Sequence, residues 1–283
     1  MKPDIFDRSA LLRHRKRHRP KALFLHERAC DQIKERLAEV NRAFKRRAIV
    51  TGHPEFWSNA MPEAEIFADS EVLELDVAQY DLVIHAMALH AANDPVGQLI
   101  QCRRALVPDG LFLAVSFGGQ TLAELRSVFA TAEAEVSGGL SPRIAPLGDL
   151  RDLGALLQRA GFALPVADLD SLTVSYADFW SLLRELRDMG ESNALAGRSR
   201  KFAPRRLFDR AAEIYTQHYT ADDRLLASFE MIYLTGWAPS ADQQQPLRPG
   251  SAQTRLATAL NATEVSAGEP VEAAVRKNSD TPD

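Results

Sequence analysis

The 283-residue sequence predicts an α/β fold, a mostly parallel sheet with helices on its faces. Short apolar stretches alternate with helical patterns along the chain, as expected of successive βα units. Two of these stretches, Tyr80 to His85 and Leu111 to Phe117, are apolar enough to be strands buried on both faces. A late strand, Phe229 to Trp237, follows a helical insertion and predicts an antiparallel strand pair at the edge of the sheet.

The first clear helix has apolar residues at three-to-four spacing, at Leu25, Ala29, Ile33, Leu37 and Val40. The pattern then predicts a strand (47–52), a short helix (54–61), a strand (64–69), the Tyr80 strand, a helix (95–107), a turn (108–110), the Leu111 strand and a helix (121–136). A helix (152–161), a strand within 162–176, helices around 178–189 and 204–219 and the final strand complete the order.

The composition, 46% hydrophobic and 25% charged, is ordinary for a soluble globular protein. We expect three segments: a basic N-terminal helical arm (1–45), an α/β domain with a helical insertion around 178–220 (46–239), and a disordered tail (240–283) poor in aromatic residues. No run of about 18 apolar residues predicts a transmembrane segment. The N-terminus has no apolar secretory signal, so we expect an intracellular protein.

Neither the cysteines nor the histidines predict a metal site. Cys30 and Cys102 are far apart and belong to no CxxC or Cys/His cluster, which is typical of two reduced thiols. No Ser/His/Asp arrangement and no metal-ligand spacing stands out either.

Positive charge is concentrated at the N-terminus. Residues 1–50 hold 15 of the 34 Lys and Arg but only 6 of the 38 Asp and Glu. The dense stretch Arg13 to Lys21 could be a landing surface for nucleic acid, anionic lipid or an acidic protein. Alternatively, it is a solvated helix face that pairs with the acidic body of the same chain. It has no interleaved aromatic residues, which argues against nucleic acid.

Several motifs resemble one known family. They are "IFDR" (5–8), "DLV" (81–83), "LH" (89–90), "PDGLF" (108–112), "FGGQTLAELR" (117–126), "AEAEVSGGLSPRIAP" (132–146), "DLGALLQRAGF" (152–162), "VSY" (174–176), "MGESN" (189–193) and "IYLTGW" (232–237). In this order and spacing the chain resembles, over most of residues 4–239, the class I methyltransferase-like family. That family comprises mitochondrial respiratory complex I assembly factor 5 and bacterial relatives, often labelled as similar to the biotin-pathway malonyl-acyl-carrier-protein methyltransferase.

The resemblance implies a Rossmann-like class I methyltransferase fold that binds S-adenosylmethionine at the carboxyl ends of its strands. The mitochondrial member is associated with hydroxylating an arginine of a complex I subunit. By resemblance we therefore expect a protein partner, a subunit of respiratory complex I, and allow for peripheral membrane contact. Because "IFDR" begins at the fifth residue, with no transit peptide before it, we expect a bacterial, cytoplasmic version.

The chain is too short between its first strand and the Tyr80 strand for the full family fold. Only 28 positions separate Gly52 from Tyr80. Two strands and three helices with their loops would need about 50 residues. One helix and one strand fit, so we predict that a whole βα unit is missing after the first strand.

This gap bears on the expected cofactor residues. By the resemblance, "ADSE" matches the third-strand acidic motif, which makes Asp69 and Ser70 adenine-side candidates and leaves no ribose-binding acid. Losing a carboxylate that binds two ribose hydroxyls removes about 3–6 kcal/mol, roughly two to four decades of affinity. Gly52 could turn the chain toward a ligand, or simply make the turn. The sequence thus predicts a degenerate S-adenosylmethionine site.

Other candidates follow later strands. His85 and His90 could line the cofactor pocket and act as bases near neutral pH, or could only hydrogen-bond nearby backbone. Asn93 and Asp94 are interpreted as a helix cap first and a substrate contact second. The candidates for substrate or partner recognition are Phe117, Gly118, Gly119, Glu191, Ser192 and Asn193; the last three form a polar loop with no evident structural duty. No catalytic residue is identified.

Two main hypotheses follow. The chain is an S-adenosylmethionine-dependent methyltransferase-like protein with a degenerate cofactor loop, linked by resemblance to complex I assembly. Alternatively, it is a non-catalytic assembly or interaction protein on the same scaffold. A third hypothesis, an arginine-modifying factor of the hydroxylase type, needs a cofactor pocket as well.

Overall fold

A computed structural model describes residues 4–243 and Thr258. The helices are α1 (Arg8–Arg15), α2 (Phe24–Glu39), α3 (Pro54–Ala60), α4 (Pro95–Ala105), α5 (Ala123–Ser137), α6 (Leu150–Ala160), α7 (Phe179–Met189) and α8 (Arg205–His218), with 3₁₀ turns at Pro20–Ala22 and Leu89–Ala91. The strands are β1 (Arg47–Thr51), β2 (Ala64–Ala68), β3 (Tyr80–Ala86), β4 (Leu106–Phe117), β5 (Ala163–Tyr176), β6 (Thr220–Ala221) and β7 (Arg224–Trp237). The predicted tail lies almost wholly outside the described residues.

Seven strands of the described chain form one sheet in the order β2-β1-β3-β4-β7-β5, with the short β6 paired to β7. The first four strands of this order are parallel, and β7 runs antiparallel to both β4 and β5. The predicted fold class, a mostly parallel sheet with an antiparallel strand pair at one edge, is therefore confirmed.

The core lies on both faces of the sheet because neighbouring strand residues alternate between them. Ile49 and Ile84 pack on the face covered by α2, α5, α7 and α8. Val50 and Val83 pack on the opposite face against α4 and α6. Such double coverage is why these strands are nearly continuous apolar runs in the sequence.

Between β1 and β3 the chain holds one helix and one strand, as the spacing predicted. β2 pairs directly with β1, from Arg47↔Ala64 to Thr51↔Ala68. Asp69 therefore follows a strand that lies beside β1, and its assignment to the adenine side of a cofactor stays a prediction.

The "PDG" motif also differs from its prediction as a turn that closes a helix. Residues Pro108 to Gly110 lie inside the long strand β4. Asp109 has a left-handed backbone (φ 61°), and the β3–β4 register shifts between Tyr80 and Leu82. The motif thus makes an irregularity within the strand, as a β-bulge does.

Candidate functional site

The carboxyl ends of β1, β2 and β3 meet at one edge of the sheet, where open α/β folds bind ligands. Gly52 and His53 follow β1, and Asp69 and Ser70 follow β2. His85 is the next-to-last residue of β3. His53, Asp69 and His85 are all buried. The structure therefore brings together the predicted cofactor residues Gly52, Asp69, Ser70 and His85.

The side chain of Arg15, from helix α1, lies in the middle of this group. Its guanidinium Nη1 is 2.5 Å from Asp69 Oδ2, and both side chains are only 3% exposed. Arg8, about two turns earlier on the same face of α1, donates from Nη1 and Nη2 to the two Asp69 carboxylate oxygens, each at 3.2 Å. Both carboxylate oxygens of Asp69 are thus bound by arginines of the same chain.

Arg15 also covers Gly52. A Cβ added at Gly52 would lie 2.2 Å from Arg15 Nη1 and 2.3 Å from its Cζ, far inside van der Waals contact. Any side chain at this position would therefore require the buried Arg15 guanidinium to move.

Helix α1 is held in place by contacts that begin in the "IFDR" motif. Asn93 Oδ1 accepts hydrogen bonds from the backbone N–H groups of Ile5 (3.0 Å) and Phe6 (2.8 Å). Asp7 caps the helix by accepting from Ala10 N at 3.0 Å, and pairs with Arg198 at 2.9 Å. The hydrogen bond from Arg198 is the main reason that the pKa of Asp7 is lowered. The N-terminal arm is thus bound to the α/β domain through the backbone of Ile5 and Phe6, through Asp7, and through Arg8 and Arg15.

The electrostatics of the site keep Asp69 ionised. Burial alone would raise the pKa of Asp69, but the nearby Arg15 and Arg8 guanidinium groups hold it below its ordinary value. Two Arg15 donors, Nε and Nη2, are buried with no hydrogen-bond partner among the described residues. Arg15 is therefore a buried cation whose charge is balanced mainly by Asp69.

Neutral histidines surround this pair. Burial, aided by Arg15, lowers the pKa of His53 to about 4, and both of its ring nitrogens lack partners in the described chain. Burial also lowers the pKa of His85 to about 4. His85 Nε2 is 2.8 Å from Gln98 Oε1, and Gln98 Nε2 donates to the Ser70 carbonyl at 2.9 Å. These contacts fit the predicted alternative in which His85 has a structural role.

A cavity of about 550 Å³ lies next to this group, beyond the end of β4. Five of the predicted residues line it: His90, Phe117, Glu191, Ser192 and Asn193. Gly52, Asp69, Ser70, His85, Gly118 and Gly119 are not among its lining residues. The predicted site residues therefore fall into two groups, a filled strand-end cluster and an open, largely apolar cavity.

The "MGESN" loop has structural duties that the sequence did not reveal. Asn193 Nδ2 donates to the Pro142 carbonyl at 2.8 Å, and its Oδ1 accepts from Leu195 N at 3.0 Å. The Ser192 carbonyl is 3.2 Å from His14 Nδ1 on α1. The interpretation of this loop as free of structural duty was wrong, because its polar groups tie α1 and the loop before α6 together.

Glu191 and His90 form a pair on the cavity wall, with His90 Nε2 3.6 Å from Glu191 Oε2. Burial would raise the pKa of Glu191, but its contact with His90 and the charge of Arg15 lower it to about 2. At Gly118 a Cβ would meet Glu230 Oε2 at 2.5 Å, while Gly119 has only the Gly148 and Leu147 carbonyls nearby, at 3.7 Å. Gly118 thus serves the β4–α5 connection.

Eight of the 15 basic residues among the first 50 pair with acids of the chain, but in the dense stretch Arg13 to Lys21 only Arg15 and Arg19 do so, and the two interpretations of that stretch stay open. Besides Arg8 and Arg15, the paired arginines are Arg19 (Asp188), Arg28 (Asp170), Arg36 (Asp168), Arg42 (Asp109), Arg46 (Glu65) and Arg47 (Glu63). Arg13, Lys16 and Arg17 have no such ion pair among the described residues.

The sequence did not reveal four residues that build this site: Arg8, Arg15, Gln98, and Asn93 in its role as an anchor of α1. Arg8 is the last residue of the "IFDR" motif, but nothing in the sequence indicates that it pairs with Asp69. Asp94 was interpreted correctly as a cap, since its Oδ1 accepts from Gly97 N at 2.9 Å. The pairing of Arg15 with Asp69 spans 54 positions, and no local pattern encodes it.

The residues at the strand ends do not form a cradle for S-adenosylmethionine. Gly52 is covered, both carboxylate oxygens of Asp69 are bound by arginines, and the cavity is lined by neither residue. In the described part of the chain, no helix is both long and apolar enough to cross a membrane. Over the same residues, no three His, Cys, Asp or Glu side chains are grouped so as to hold a metal ion.

Comparison with known proteins gives relatives in two groups. The mitochondrial arginine-hydroxylase NDUFAF5 of Danio rerio is 37% identical over 198 residues, 70% of this chain and 61% of that protein. The human protein of the same name is 37% identical over 193 residues, 68% of this chain and 56% of that protein. Malonyl-acyl-carrier-protein O-methyltransferase of Laribacter hongkongensis is 33% identical over 191 residues, 68% of this chain and 62% of that protein. The resemblance stated from the motifs is confirmed.

Each of these alignments spans less than two thirds of the relative's own length. No protein-family model matches the sequence. Among solved structures, the YcgJ protein of Bacillus subtilis covers 74% of this chain and 98% of its own, with 12% identity and a TM-score of 0.46. Haemonchus contortus phosphoethanolamine N-methyltransferase 2, solved with S-adenosyl-L-methionine, covers 74% of this chain and 53% of its own, with 13% identity and a TM-score of 0.40.

The expected cytoplasmic location is contradicted by this comparison. The NDUFAF5 relatives from Dictyostelium discoideum, Danio rerio and Homo sapiens are all named as mitochondrial. The position of "IFDR" near the start of the sequence was therefore not a sound basis for the location.

Proposed function

We propose that this chain, a homologue of the arginine hydroxylase NDUFAF5 and of malonyl-acyl-carrier-protein O-methyltransferases, is a methyltransferase-like assembly protein that works without S-adenosylmethionine. The observation that carries this proposal is the position of Arg15, whose guanidinium covers Gly52 and binds Asp69. A nucleoside bound at these strand ends would compete with this guanidinium for Gly52 and Asp69.

Energetics support this proposal. A cofactor could enter only if Arg15 left both Gly52 and Asp69. Breaking a buried charge pair by removing one partner costs about 3–5 kcal/mol. At about 1.4 kcal/mol for each tenfold change, that cost weakens binding by roughly two to four decades. This penalty adds to the effect of the glycine-poor loop.

The link to respiratory complex I comes from the relatives, and it makes a subunit of that complex the proposed partner. The strand-end cluster is occupied and most N-terminal arginines are paired within the chain. The cavity side, with the "FGGQTL" and "MGESN" loops, is therefore the proposed recognition face. A tagged full chain should capture complex I subunits from an extract, and added S-adenosylmethionine should leave the capture unchanged.

Titration calorimetry with S-adenosylmethionine tests the proposal. The full chain should give no binding heat at millimolar ligand, whereas a micromolar Kd would overturn the proposal. Arg15→Ala uncovers Gly52 and is the variant in which binding should first appear. Arg19→Ala is the matched control, because its pair with Asp188 is exposed and lies outside the cluster; it should bind no better than the parent.

A further inference from the structure

The cavity next to the filled cluster has the character of a ligand site. Its volume of about 550 Å³ is within the range of small-molecule pockets. Its walls come from α5, α7, α8 and β7 and are mostly carbon, including Leu125, Phe129, Leu183, Phe208 and Phe229. Protein interiors are packed densely, so an apolar space of this size is costly to leave without an occupant.

Two arginines are among the residues that line the cavity. Arg187, near the end of α7, lines the cavity and is exposed, and its guanidinium has no hydrogen bond or ion pair with any described residue. Arg143 also lines it; Nη2 of this arginine binds Glu133 at 2.8 Å, but its Nε is buried without a partner. Free guanidinium donors match a carboxylate or phosphate.

One acidic side chain also lines the cavity. Glu191 stays ionised beside His90. A negative headgroup at Glu191 would be repelled, whereas an aliphatic chain is tolerated along the phenylalanine and leucine wall. An elongated anionic ligand would therefore place its head at a cavity arginine and not at Glu191.

One exposed aromatic side chain packs against the cavity wall. Trp180 is 42% exposed, and its ring packs on Phe208 of the wall with centroids 6.2 Å apart.

We propose that this cavity binds an anionic amphiphile, an aliphatic chain with a carboxylate or phosphate head. The head binds Arg187 and Arg143, and the chain lies against the apolar wall. The site is separate from the strand-end cluster, so the proposal does not depend on whether S-adenosylmethionine binds.

Displacement of a fluorescent dansyl-labelled fatty acid from the full chain tests this proposal, with decanoate, decanol and decylamine as competitors. Decanoate should displace the probe at least tenfold better than decylamine, because only decanoate matches the arginines. Arg187→Gln should weaken decanoate about tenfold. Arg184→Gln, one turn earlier on α7 and outside the cavity lining, should leave the affinity unchanged.

Leu183→Trp fills the cavity and should abolish displacement, while Val166→Trp on the exposed side of β5 should not. Thermal unfolding of each variant shows whether it is folded. Equal binding of decylamine and decanoate, or full binding by folded Leu183→Trp, would overturn the proposal. Vesicles of phosphatidylglycerol, added in a parallel arm, distinguish a membrane lipid from a free fatty acid as the source of the chain.

Discussion

At the scale of single residues, two arginines of α1 bind the acid that follows β2. Arg15 takes the space above Gly52 and the charge of Asp69, and Arg8 completes the binding of that carboxylate. Neutral His53 and His85 complete the cluster. Each of these contacts has a measurable consequence for stability.

Gly52→Ala should destabilise the protein by about 1–3 kcal/mol, because the new methyl group forces the buried guanidinium of Arg15 aside. In an Arg15→Ala background the same substitution should cost much less. A double-mutant cycle in urea measures this coupling. Equal costs in the two backgrounds would mean that Arg15 does not lie against Gly52.

Asp69→Asn should lower the free energy of unfolding by about 3–5 kcal/mol, since it leaves Arg15 buried without a counter-charge. Asp188→Asn is the control, because its partner Arg19 is 75% exposed and such pairs contribute at most about 1 kcal/mol. Chemical denaturation of both variants at neutral pH makes the comparison. A similar small loss in both would show that the Asp69 pair is not buried.

Acidification should destabilise the fold before its carboxylates titrate. His53 and His85 have a pKa of about 4 in the fold and 6.5 as the ordinary value, so the unfolded chain binds more protons between these values. The contribution of each histidine to the free energy of unfolding is therefore fully present above pH 6.5. It decreases as the pH falls, and at pH 5 each histidine has cost about 2 kcal/mol of stability. The stabilisation from Glu191 is present above its ordinary pKa of 4.5 and is lost only as the pH falls from there toward about 2.

His53→Phe removes two buried ring nitrogens that have no partner, so it should reduce the loss between pH 7 and pH 5. His218→Phe, at the end of α8 and outside the cluster, serves as the control. Denaturation curves at the two pH values measure the difference. An unchanged pH dependence in His53→Phe would contradict the burial of this ring in its neutral form.

At the scale of elements, α1 is the part of the fold that decides what the strand ends can bind. It has eight residues, too few to form a stable helix alone. Its contacts with the rest of the chain therefore decide how much of the time it is folded in place. Asn93 holds the start of the arm through Ile5 and Phe6, and a small apolar cluster with Ala91, Ala194 and Leu195 holds its side.

Asn93→Ala should loosen this arm and speed trypsin cleavage at the arginines between Arg13 and Arg19 several-fold, through local opening. Asp94→Ala removes the α4 cap but touches no residue of the arm, so it should lower global stability by about 1 kcal/mol without that local effect. Cleavage mapped by mass spectrometry separates the two. Equal cleavage patterns would show that Asn93 does not anchor α1.

At the scale of the whole molecule, the sequence predicted most helices and strands because their apolar periodicity is local. The missing βα unit was predictable too, since chain length limits what fits between Gly52 and Tyr80. Which position β2 takes in the sheet was not, because strand order is set by tertiary pairing. The insertion of Arg15 was invisible for the same reason: its partners Gly52 and Asp69 are distant in sequence, and a basic stretch has the same composition whether exposed or buried.

The most direct test of the central claim is a crystal structure determined after soaking the full chain in millimolar S-adenosylmethionine. The account predicts that the Arg15–Asp69 pair and its contact with Gly52 stay as they are, with no nucleoside at the end of β2. S-adenosylmethionine bound at Asp69, with Arg15 turned away, would contradict it.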